Sequence, residues 1–273
     1  MTSPEVYSAN DNVMKHNVEY ILEEFAENLT NICGKCMDVG CGPGDITKNL
    51  LLPALGSDAQ IIGTDISEKM IKYANVTSSD EKRVQFEVLD IETKNLPKKY
   101  ITEFKHVFSF HALHYCYDIR QAFKNIYQIL RPNGTALLYI VASDDLFEVL
   151  RILAQDVRFE QYIPDKIKNF GPYHNSNNAR KELKELLQSV GFTVHHCSLR
   201  ERSHSEKKSE LFLKSILSIL PFFEDMPNDV IEKFKKVLIY EYLKRKINYK
   251  SIDNEEFTLD LYTALVVHAQ KIV

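Results

Sequence analysis

A glycine-rich turn after a short apolar run constrains this chain more than any other feature. The segment CMDVGCGPGD at residues 36–45 predicts a buried strand followed by a turn, with Gly40, Gly42 and Gly44 at alternate positions. Such a turn before a helix lets a ligand approach backbone N–H groups. The dinucleotide fingerprint GxGxxG needs a third glycine where this chain has Asp45, and a carboxylate there is unfavourable beside a pyrophosphate. The turn therefore favours a ligand without phosphates.

The rest of the chain alternates between apolar runs of strand length and helical periodicity. Strands are predicted at residues 36–40, 61–65, 84–89, 106–110, 135–141, 192–197 and 263–268. Helices are predicted at residues 10–30, 45–52, 67–74, 119–130, 146–153 and 183–190, with two more in 205–256 broken by Pro221 and Pro227. This order indicates an α/β fold with a mostly parallel sheet and helices on both faces.

Composition and charge exclude several classes of protein. The 273 residues carry 34 Lys and Arg against 38 Asp and Glu, a formal net charge of −4, so no nucleic-acid partner is expected. No stretch approaches the ~18 consecutive apolar residues of a membrane span. Residues 1–17 lack the pattern of a secretory signal peptide. We therefore expect a cytoplasmic protein with no membrane association.

The five cysteines are too few and too scattered to indicate a disulfide framework. Cys33 and Cys36 form a CxxC pair, but neither a second pair nor neighbouring histidines complete a zinc site. The pair also precedes a predicted strand, whereas a redox-active pair opens a helix. We expect reduced thiols, as in the cytoplasm, and no metal site.

Asp65 marks a second feature at the same predicted edge of the sheet. It ends the second predicted strand, about 20 residues after Gly44, where a carboxylate can accept hydrogen bonds from both hydroxyls of a ribose. Each feature alone has a structural explanation, because glycines form turns and an aspartate can cap the next helix. Their combination in this order favours a ligand-binding site.

These residues, followed by Leu89-Asp90-Ile91 and Ser109-Phe110-His111, resemble the motif series of class I S-adenosylmethionine-dependent methyltransferases over residues 36–141. The resemblance implies a Rossmann-like seven-stranded sheet whose last strand is antiparallel. It also implies S-adenosyl-L-methionine as the cofactor and S-adenosyl-L-homocysteine as the product, with Asp65 on the ribose and Asp90 on the adenine amine. The implied cofactor-binding residues are Asp38, Gly40, Cys41, Gly42, Gly44, Asp65, Ile66, Met70, Asp90, Ile91, Ser109, Phe110 and His111.

The flanking segments are similar to the juvenile hormone acid O-methyltransferase family. The similarity rests on VYSANDNVM at residues 6–14, on FSFHALHY at residues 108–115, and on a long insert with a Pro221-Phe222 break. It implies methylation of the carboxylate of a small apolar isoprenoid or fatty acid, such as juvenile hormone acid or farnesoic acid. Two positions that help hold the carboxylate depart from the family pattern, since Met14 replaces a glutamine and Tyr115 replaces a tryptophan.

The resemblance also implies how the chain is organised. We expect one methyltransferase domain over residues 1–273, opened by an N-terminal helical lid at residues 1–35. Residues 36–142 would form the cofactor-binding core, and residues 143–178 and 205–256 a helical substrate cap. The oligomeric state stays open, with a homodimer among the alternatives.

His114 and Tyr115 are the predicted catalytic residues. A carboxylic acid has a pKa of ~4 and is ionised at neutral pH, so His114 is expected to orient one oxygen rather than take a proton. Packing and base catalysis are the alternatives, and a phenol or alcohol with a pKa of ~10 or above would need a base. The predicted acceptor-binding residues are Met14, His114, Tyr115, Phe147, Leu150, Tyr162, Phe170 and Tyr173. Ordinary core packing is the alternative for the last five, which belong to the insert.

Two other functions remain as alternatives. A methyltransferase of the same fold could act on a phenol, an amine or a thiol. A protein that binds a lipid or an adenosine ligand with little turnover would fit the departures at Met14 and Tyr115. The complete glycine turn, Asp65 and Asp90 favour an enzyme over a binding protein.

Overall fold

The computed structural model describes residues 3–164, 167, 170–207, 210–224 and 226–272, and within them the strands form one eight-stranded sheet. The strands are β1 (Gly34–Val39), β2 (Ala59–Asp65), β3 (Val84–Val88), β4 (Phe104–Phe110), β5 (Leu130–Ser143), β6 (Thr193–Glu206), β7 (Ile247–Lys250) and β8 (Glu256–Gln270). Their order is β3-β2-β1-β4-β5-β8-β6, with β7 paired to β8. Strands β1 to β5 are parallel, and β8 runs antiparallel to β5 and β6. The predicted α/β fold with its antiparallel last strand is therefore confirmed.

Strand β7 is an addition that the sequence did not predict. It lies within residues 205–256, which were expected to be helical, and pairs antiparallel with β8. All four of its residues are exposed, so they carry no alternation of buried and exposed positions. Residues 165–166, 168–169, 208–209 and 225 of the predicted cap lie outside the described residues.

The helices cover both faces of the sheet. They are α1 (Pro4–Ala9), α2 (Asn12–Glu24), α3 (Ala26–Leu29), α4 (Leu52–Ala54), α5 (Glu68–Thr77), α6 (Ile119–Ile129), α7 (Asp145–Leu153), α8 (Ala179–Val190), α9 (Glu210–Ile219) and α10 (Asn228–Leu243). A π-helical turn at Thr47–Leu51 leads into α4. The helix expected at residues 10–30 is instead divided into α2 and α3 by a break at Phe25. Ser67 caps α5 as predicted, because its hydroxyl accepts a hydrogen bond from the Met70 amide.

Alternation along the strands divides the buried residues between two cores. Cys36 and Phe108 belong to one core, whereas Met37 and Val107 belong to the other. The first core also contains residues of α2, α7, α9 and α10, and the second contains residues of α6 and α8. The N-terminal helices and the inserted helices thus share one face of the sheet. No helix among the described residues is long and apolar enough to cross a membrane.

Gly40 lets the loop after β1 and the loop after β4 touch. Its φ is +77°, in the region that favours glycine, and a Cβ there would lie 2.0 Å from the Cβ of Ala112. Gly42 also has a positive φ, of +54°, but a Cβ at that position would meet only Tyr7, at 3.9 Å. Substitutions at the two glycines therefore distinguish the energetic cost of a side chain at positive φ from the energetic cost of a steric overlap with Ala112.

We expect Gly40→Ala to lower the free energy of unfolding by about 2–5 kcal/mol, because it adds a steric overlap to the left-handed conformation. Gly42→Ala carries the conformational cost alone and is expected to lose about 1–2 kcal/mol. Urea denaturation of both variants measures the difference. Equal losses in the two variants would show that the contact between Gly40 and Ala112 does not constrain the fold.

Candidate active site

Asp65 joins the ends of two parallel strands at the carboxyl edge of the sheet. Its carboxylate accepts hydrogen bonds from the amide of Gly42 at 3.0 Å and from the amide of Ser67 at 2.9 Å. Burial raises the pKa of the carboxyl group, and both amide hydrogen bonds oppose this effect. Each oxygen still has a free lone pair, so Asp65 can hold the glycine turn and also accept a hydrogen bond from a ligand.

Asp38 lies beneath the same turn at the end of β1. It is 3% exposed and accepts a hydrogen bond from the Thr47 hydroxyl at 2.6 Å. Burial raises its pKa to about 7, although the bond to Thr47 lowers it. Asp38 therefore couples β1 to the helical turn that follows the glycines.

Two clefts open at this edge of the sheet, and we call them the loop cleft and the cap cleft. The loop cleft, of about 390 Å³, is lined by Tyr7, Asp11, Asp38, Gly40, Cys41, Gly42, Pro43, Asp45, Ile46, Phe110 and His111. The cap cleft, of about 570 Å³, is lined by Tyr7, Val13, Met14, Asn17, His111, His114, Tyr115, Val141, Asp144, Leu146, Phe147, His204, Ile216, Asp260 and Tyr262. Tyr7 and His111 line both, so ligands in the two clefts would be neighbours.

Six of the predicted cofactor-binding residues line the loop cleft, namely Asp38, Gly40, Cys41, Gly42, Phe110 and His111. The other seven are not among its lining residues. Gly44 packs against Phe86, Ser109 donates a hydrogen bond to the carbonyl of Val39, and Met70 is buried at 3% exposure. Asp65 and Ile66 end β2, where Ile66 is 68% exposed. Asp90 accepts a hydrogen bond from the amide of Glu92, and Ile91 packs against the second core.

Four of the eight predicted acceptor-binding residues line the cap cleft, namely Met14, His114, Tyr115 and Phe147. Leu150, Tyr162, Phe170 and Tyr173 are not among its lining residues. Leu150, Phe170 and Tyr162 pack in or against the first core, because the apolar side of α7 and of the loop after it faces the sheet. Tyr173 lies in the second core, on the opposite face. These four side chains pack as core residues, and their role in binding the acceptor stays a prediction.

His114 is a buried, uncharged side chain in the cap cleft. It is 3% exposed, and its Nδ1 has no hydrogen-bond partner among the described residues. Its ring lies 4.3 Å from the Tyr115 ring and 5.7 Å from the Phe147 ring, between centroids. Burial lowers the pKa of His114 well below its usual value and lowers that of His111 to about 3. Both imidazoles are neutral at physiological pH and can donate or accept a hydrogen bond.

The sequence did not single out several residues that line the clefts. Asp144 follows β5 directly, so the rule that ligand sites lie beyond the carboxyl ends of parallel strands could have found it. Asn17 is a polar residue at 3% exposure within the predicted N-terminal helix. Asp260 and Tyr262 lie on β8 and reach the cleft only through long-range strand pairing. No local pattern identifies them.

The N-terminal helices are attached to the glycine turn by one lysine. The ammonium group of Lys15 lies 2.6 Å from a carboxylate oxygen of Asp11 and 2.6 Å from one of Asp45. It also donates to the carbonyl of Ser8, whose hydroxyl donates to Asp45. Asp11 is fully buried, and burial raises its pKa to about 6. The single positive charge of Lys15 balances one of these two carboxylates, and its contacts hold the helices against the loop cleft.

The chemistry of the loop cleft fits S-adenosylmethionine. Its walls carry the carboxyl groups of Asp11, Asp38 and Asp45, and none of its described lining residues is a lysine or an arginine. Such a cleft suits a ligand with positively charged groups and disfavours a phosphate. A Cβ at Gly42 would meet only the ring of Tyr7, at 3.9 Å, which leaves room beside the backbone. Within the described residues, no cluster of three His, Cys, Asp or Glu side chains could hold a metal ion.

Comparisons with known proteins agree with this geometry. A family model described as a methyltransferase domain matches residues 37–138. The structure of the YcgJ protein from Bacillus subtilis has a TM-score of 0.57 at 14% identity and covers 94% of this chain and 98% of that protein. Phosphoethanolamine N-methyltransferase 2 from Haemonchus contortus, in complex with S-adenosyl-L-methionine, has a TM-score of 0.50 at 18% identity over 91% of this chain and 52% of its own. The fold and the clefts define a class I methyltransferase whose cofactor is S-adenosylmethionine.

Two relatives that match most of the chain identify the family within this class to which it belongs. The juvenile hormone acid O-methyltransferase of Drosophila melanogaster is 31% identical over 99% of this chain and 93% of its own length. The enzyme of the same name from Bombyx mori is 30% identical over 86% of this chain and 84% of its own length. The chain belongs to the juvenile hormone acid O-methyltransferase family.

We expect Lys15→Met to destabilise the fold by about 1–3 kcal/mol, because it leaves Asp11 and Asp45 as neighbouring carboxylates without a cation. Adding Asp11→Asn should recover part of this loss, since the buried charge is then removed. Lys233→Met is the control, because Lys233 forms an exposed ion pair with Asp229 on α10. Thermal unfolding that gives the same small shift for Lys15→Met and Lys233→Met would contradict this role.

Proposed function

We propose that the chain transfers a methyl group from S-adenosylmethionine to the carboxylate of an apolar isoprenoid or fatty acid, forming a methyl ester and S-adenosylhomocysteine. The names of the two relatives from Drosophila melanogaster and Bombyx mori support a carboxylic acid acceptor. The observation that carries the proposal is a neutral, buried His114 in a largely apolar cleft that adjoins the cofactor cleft. All five cysteines are free, which fits the reducing cytoplasm that we propose as its location.

The residues of the loop cleft would hold the cofactor. We assign the methionine portion to the backbone at Gly40 and Gly42, and the ribose hydroxyls to the Asp65 carboxylate. Ile66 and Asp90, which are exposed at the ends of β2 and β3, are the proposed contacts for the adenine. When bound, the cofactor supplies a methyl group on a positively charged sulfur.

The walls of the cap cleft would hold the hydrocarbon part of the acceptor. The apolar side chains that line it are Val13, Met14, Val141, Leu146, Phe147 and Ile216. Burying an apolar chain against such walls provides binding energy of about 25 cal/mol per Å² of surface removed from water. The same walls exclude water from the reacting groups, which strengthens electrostatic interactions between them.

His114 would orient the acceptor rather than take a proton from it. An ionised carboxylate already carries the lone pair that attacks the methyl group, so no base is required. A neutral imidazole with a free nitrogen can donate one hydrogen bond to a carboxylate oxygen. Holding that oxygen at attack distance can lower the barrier by roughly 7–11 kcal/mol.

We expect Asp65→Asn to weaken the binding of S-adenosylhomocysteine about 10- to 100-fold, because the ribose loses a charged acceptor. Asp58→Asn, at an exposed position before β2, is the control and should leave the affinity unchanged. Isothermal titration calorimetry measures both. Unchanged affinity for Asp65→Asn in a folded protein would restrict Asp65 to its hydrogen bonds with Gly42 and Ser67.

The pH dependence of the rate separates orientation from base catalysis. With a carboxylate acceptor and saturating S-adenosylmethionine, so that ionisation of Asp38 in the loop cleft does not change cofactor occupancy, kcat/KM for the acceptor should not rise between pH 7 and 9, because the pKa values of His111 and His114 lie far below this range. Asp144 in the same cleft has a pKa raised to about 7 by burial, so its ionisation can only add negative charge and lower the rate. Asp144→Asn should remove any such fall while keeping the cap of α7.

Variants of His114 complete this test. His114→Gln keeps a hydrogen-bond donor and should retain much of the activity, whereas His114→Ala should lose at least 10-fold in kcat/KM, about the effect of one hydrogen bond to a charged group. A rate that climbs steeply with pH, together with equal inactivity of both variants, would favour a phenol or amine acceptor and base catalysis. An unchanged kcat/KM for His114→Ala would show that His114 contributes only to packing.

A further inference from the structure

Three polar side chains form a continuous hydrogen-bonded chain that ends in the cap cleft. A guanidinium nitrogen of Arg202 donates to the side-chain carbonyl of Asn17 at 2.9 Å. The amide nitrogen of Asn17 donates in turn to the hydroxyl oxygen of Tyr262 at 2.7 Å. Asn17 and Tyr262 are 3% and 9% exposed, and both line the cleft together with His111 and His114.

The order of donors and acceptors in this hydrogen-bonded series leaves N–H and O–H groups that can donate to a ligand. Arg202 fixes the orientation of the Asn17 amide, because its carbonyl must face the guanidinium group. The Tyr262 oxygen accepts a hydrogen bond from Asn17, so the hydroxyl hydrogen of Tyr262 takes no part in the hydrogen bonds that join these three residues. The amide of Asn17 has a second hydrogen as well. The positive charge on Arg202 polarises both groups and makes them better donors.

Arg202 has no carboxylate partner among the described residues, and its guanidinium group packs over the ring of Tyr20 at 4.8 Å. Arg200 lies two positions earlier on β6 and forms an ion pair with Glu24, with one contact of 2.8 Å. The two arginines share a strand and are both partly buried, but the close ion pair with Glu24 is formed by Arg200, and Arg202 acts on Glu24 only through the longer-range effect of its charge. Arg202 interacts with the neutral side chains of Asn17 and Tyr139 and forms no close ion pair among the described residues, so this half-buried cation is available to balance a negative ligand.

Arg202 lies behind Asn17 and does not itself line the cleft, and the two carboxyl groups that do line it are Asp144 and Asp260. Asp260 is bound by both Lys246 and Tyr242, so its charge is balanced within the protein. Asp144 lies next to it, and burial raises the pKa of Asp144 to about 7. The charge on Arg202 also contributes to the lowered pKa of His111. Because His111 lines both clefts, the electrostatic effect of Arg202 reaches the boundary between them.

We propose that Asn17 and Tyr262, polarised by Arg202, bind the carboxylate of the acceptor in the cap cleft. This inference rests on the proposed function and names the residues that select an acid over a neutral molecule of the same shape. Asn17 and Tyr262 are the contact residues, and Arg202 is a positioning residue that acts through Asn17. His114 then aligns the carboxylate from another wall of the cleft.

The test compares an acid with its matched alcohol. Binding of farnesoic acid and of farnesol is measured by calorimetry in the presence of S-adenosylhomocysteine, and KM and kcat are measured for the acid. We expect the wild-type protein to bind the acid at least 10-fold more tightly than the alcohol. Arg202→Gln should raise KM for the acid about 10- to 50-fold with a smaller change in kcat, and should abolish the preference for the acid.

Three further variants control for changes in folding and for the role of each group. Arg200→Gln should change KM less than about 2-fold, because Arg200 is already paired with Glu24. Arg202→Lys should retain part of the preference for the acid. Tyr262→Phe should weaken the binding of farnesoic acid about 10-fold and leave the binding of farnesol unchanged. Unchanged affinity for S-adenosylhomocysteine in every variant shows that the fold and the loop cleft are intact.

The outcomes separate this inference from the proposed function. A wild-type protein that binds acid and alcohol equally, or an Arg202→Gln variant with an unchanged preference, would overturn the carboxylate site. A wild-type protein that prefers the acid through Arg202 but transfers no methyl group to it would support the site and contradict the proposed methyl transfer.

Discussion

The contact between Gly40 and Ala112 determines where the two clefts meet. Because residue 40 has no side chain, the loop that follows β4 lies directly against the glycine turn. His111 in that loop has a φ of +58°, and its amide donates to the carbonyl of Tyr139 at 3.1 Å. The backbone of the loop is therefore fixed from both sides, and His111 lines both clefts. A side chain at residue 40 would push this loop away from the cofactor cleft.

The two clefts differ in charge, and this difference suits the proposed reaction. The loop cleft presents carboxyl groups to a positively charged cofactor, whereas the cap cleft presents neutral imidazoles and a chain of donors backed by Arg202. An anionic acceptor and a sulfonium group would attract each other strongly where water is excluded. Lys15 keeps the carboxylates of Asp11 and Asp45 from repelling each other where the N-terminal helices cover the loop cleft.

Local sequence patterns predicted the sheet and the glycine turn, because strand alternation, positive φ and helix capping depend on neighbouring residues. Ser67 as the cap of α5 is one confirmed example. Strand β7 escaped prediction because it is only four residues long, and all four of these residues are exposed, so neither face of the strand is marked by burial. Tyr173 was predicted to bind the acceptor, but its side chain lies in the second core, on the other face of the sheet from the inserted helices.

The polar groups of the cap cleft could not be derived from local patterns at all. Asn17 and Tyr262 are 245 positions apart and meet only because α2 packs beside the long strands β6 and β8. The glycine turn, in contrast, is contained in ten consecutive residues. The cofactor-binding residues could therefore be predicted from motifs, whereas the contact between Asn17 and Tyr262 depends on the tertiary structure.

Identification of the methylated product tests the central claim most directly. The protein is incubated with S-adenosylmethionine carrying an isotopically labelled methyl group and with farnesoic acid, farnesol, a phenol and an amine in parallel. We predict label in a methyl ester of farnesoic acid, released by mild alkaline hydrolysis and identified by mass spectrometry, with little label in the other three. Label in the phenol or the amine, and none in the acid, would contradict carboxylate methylation.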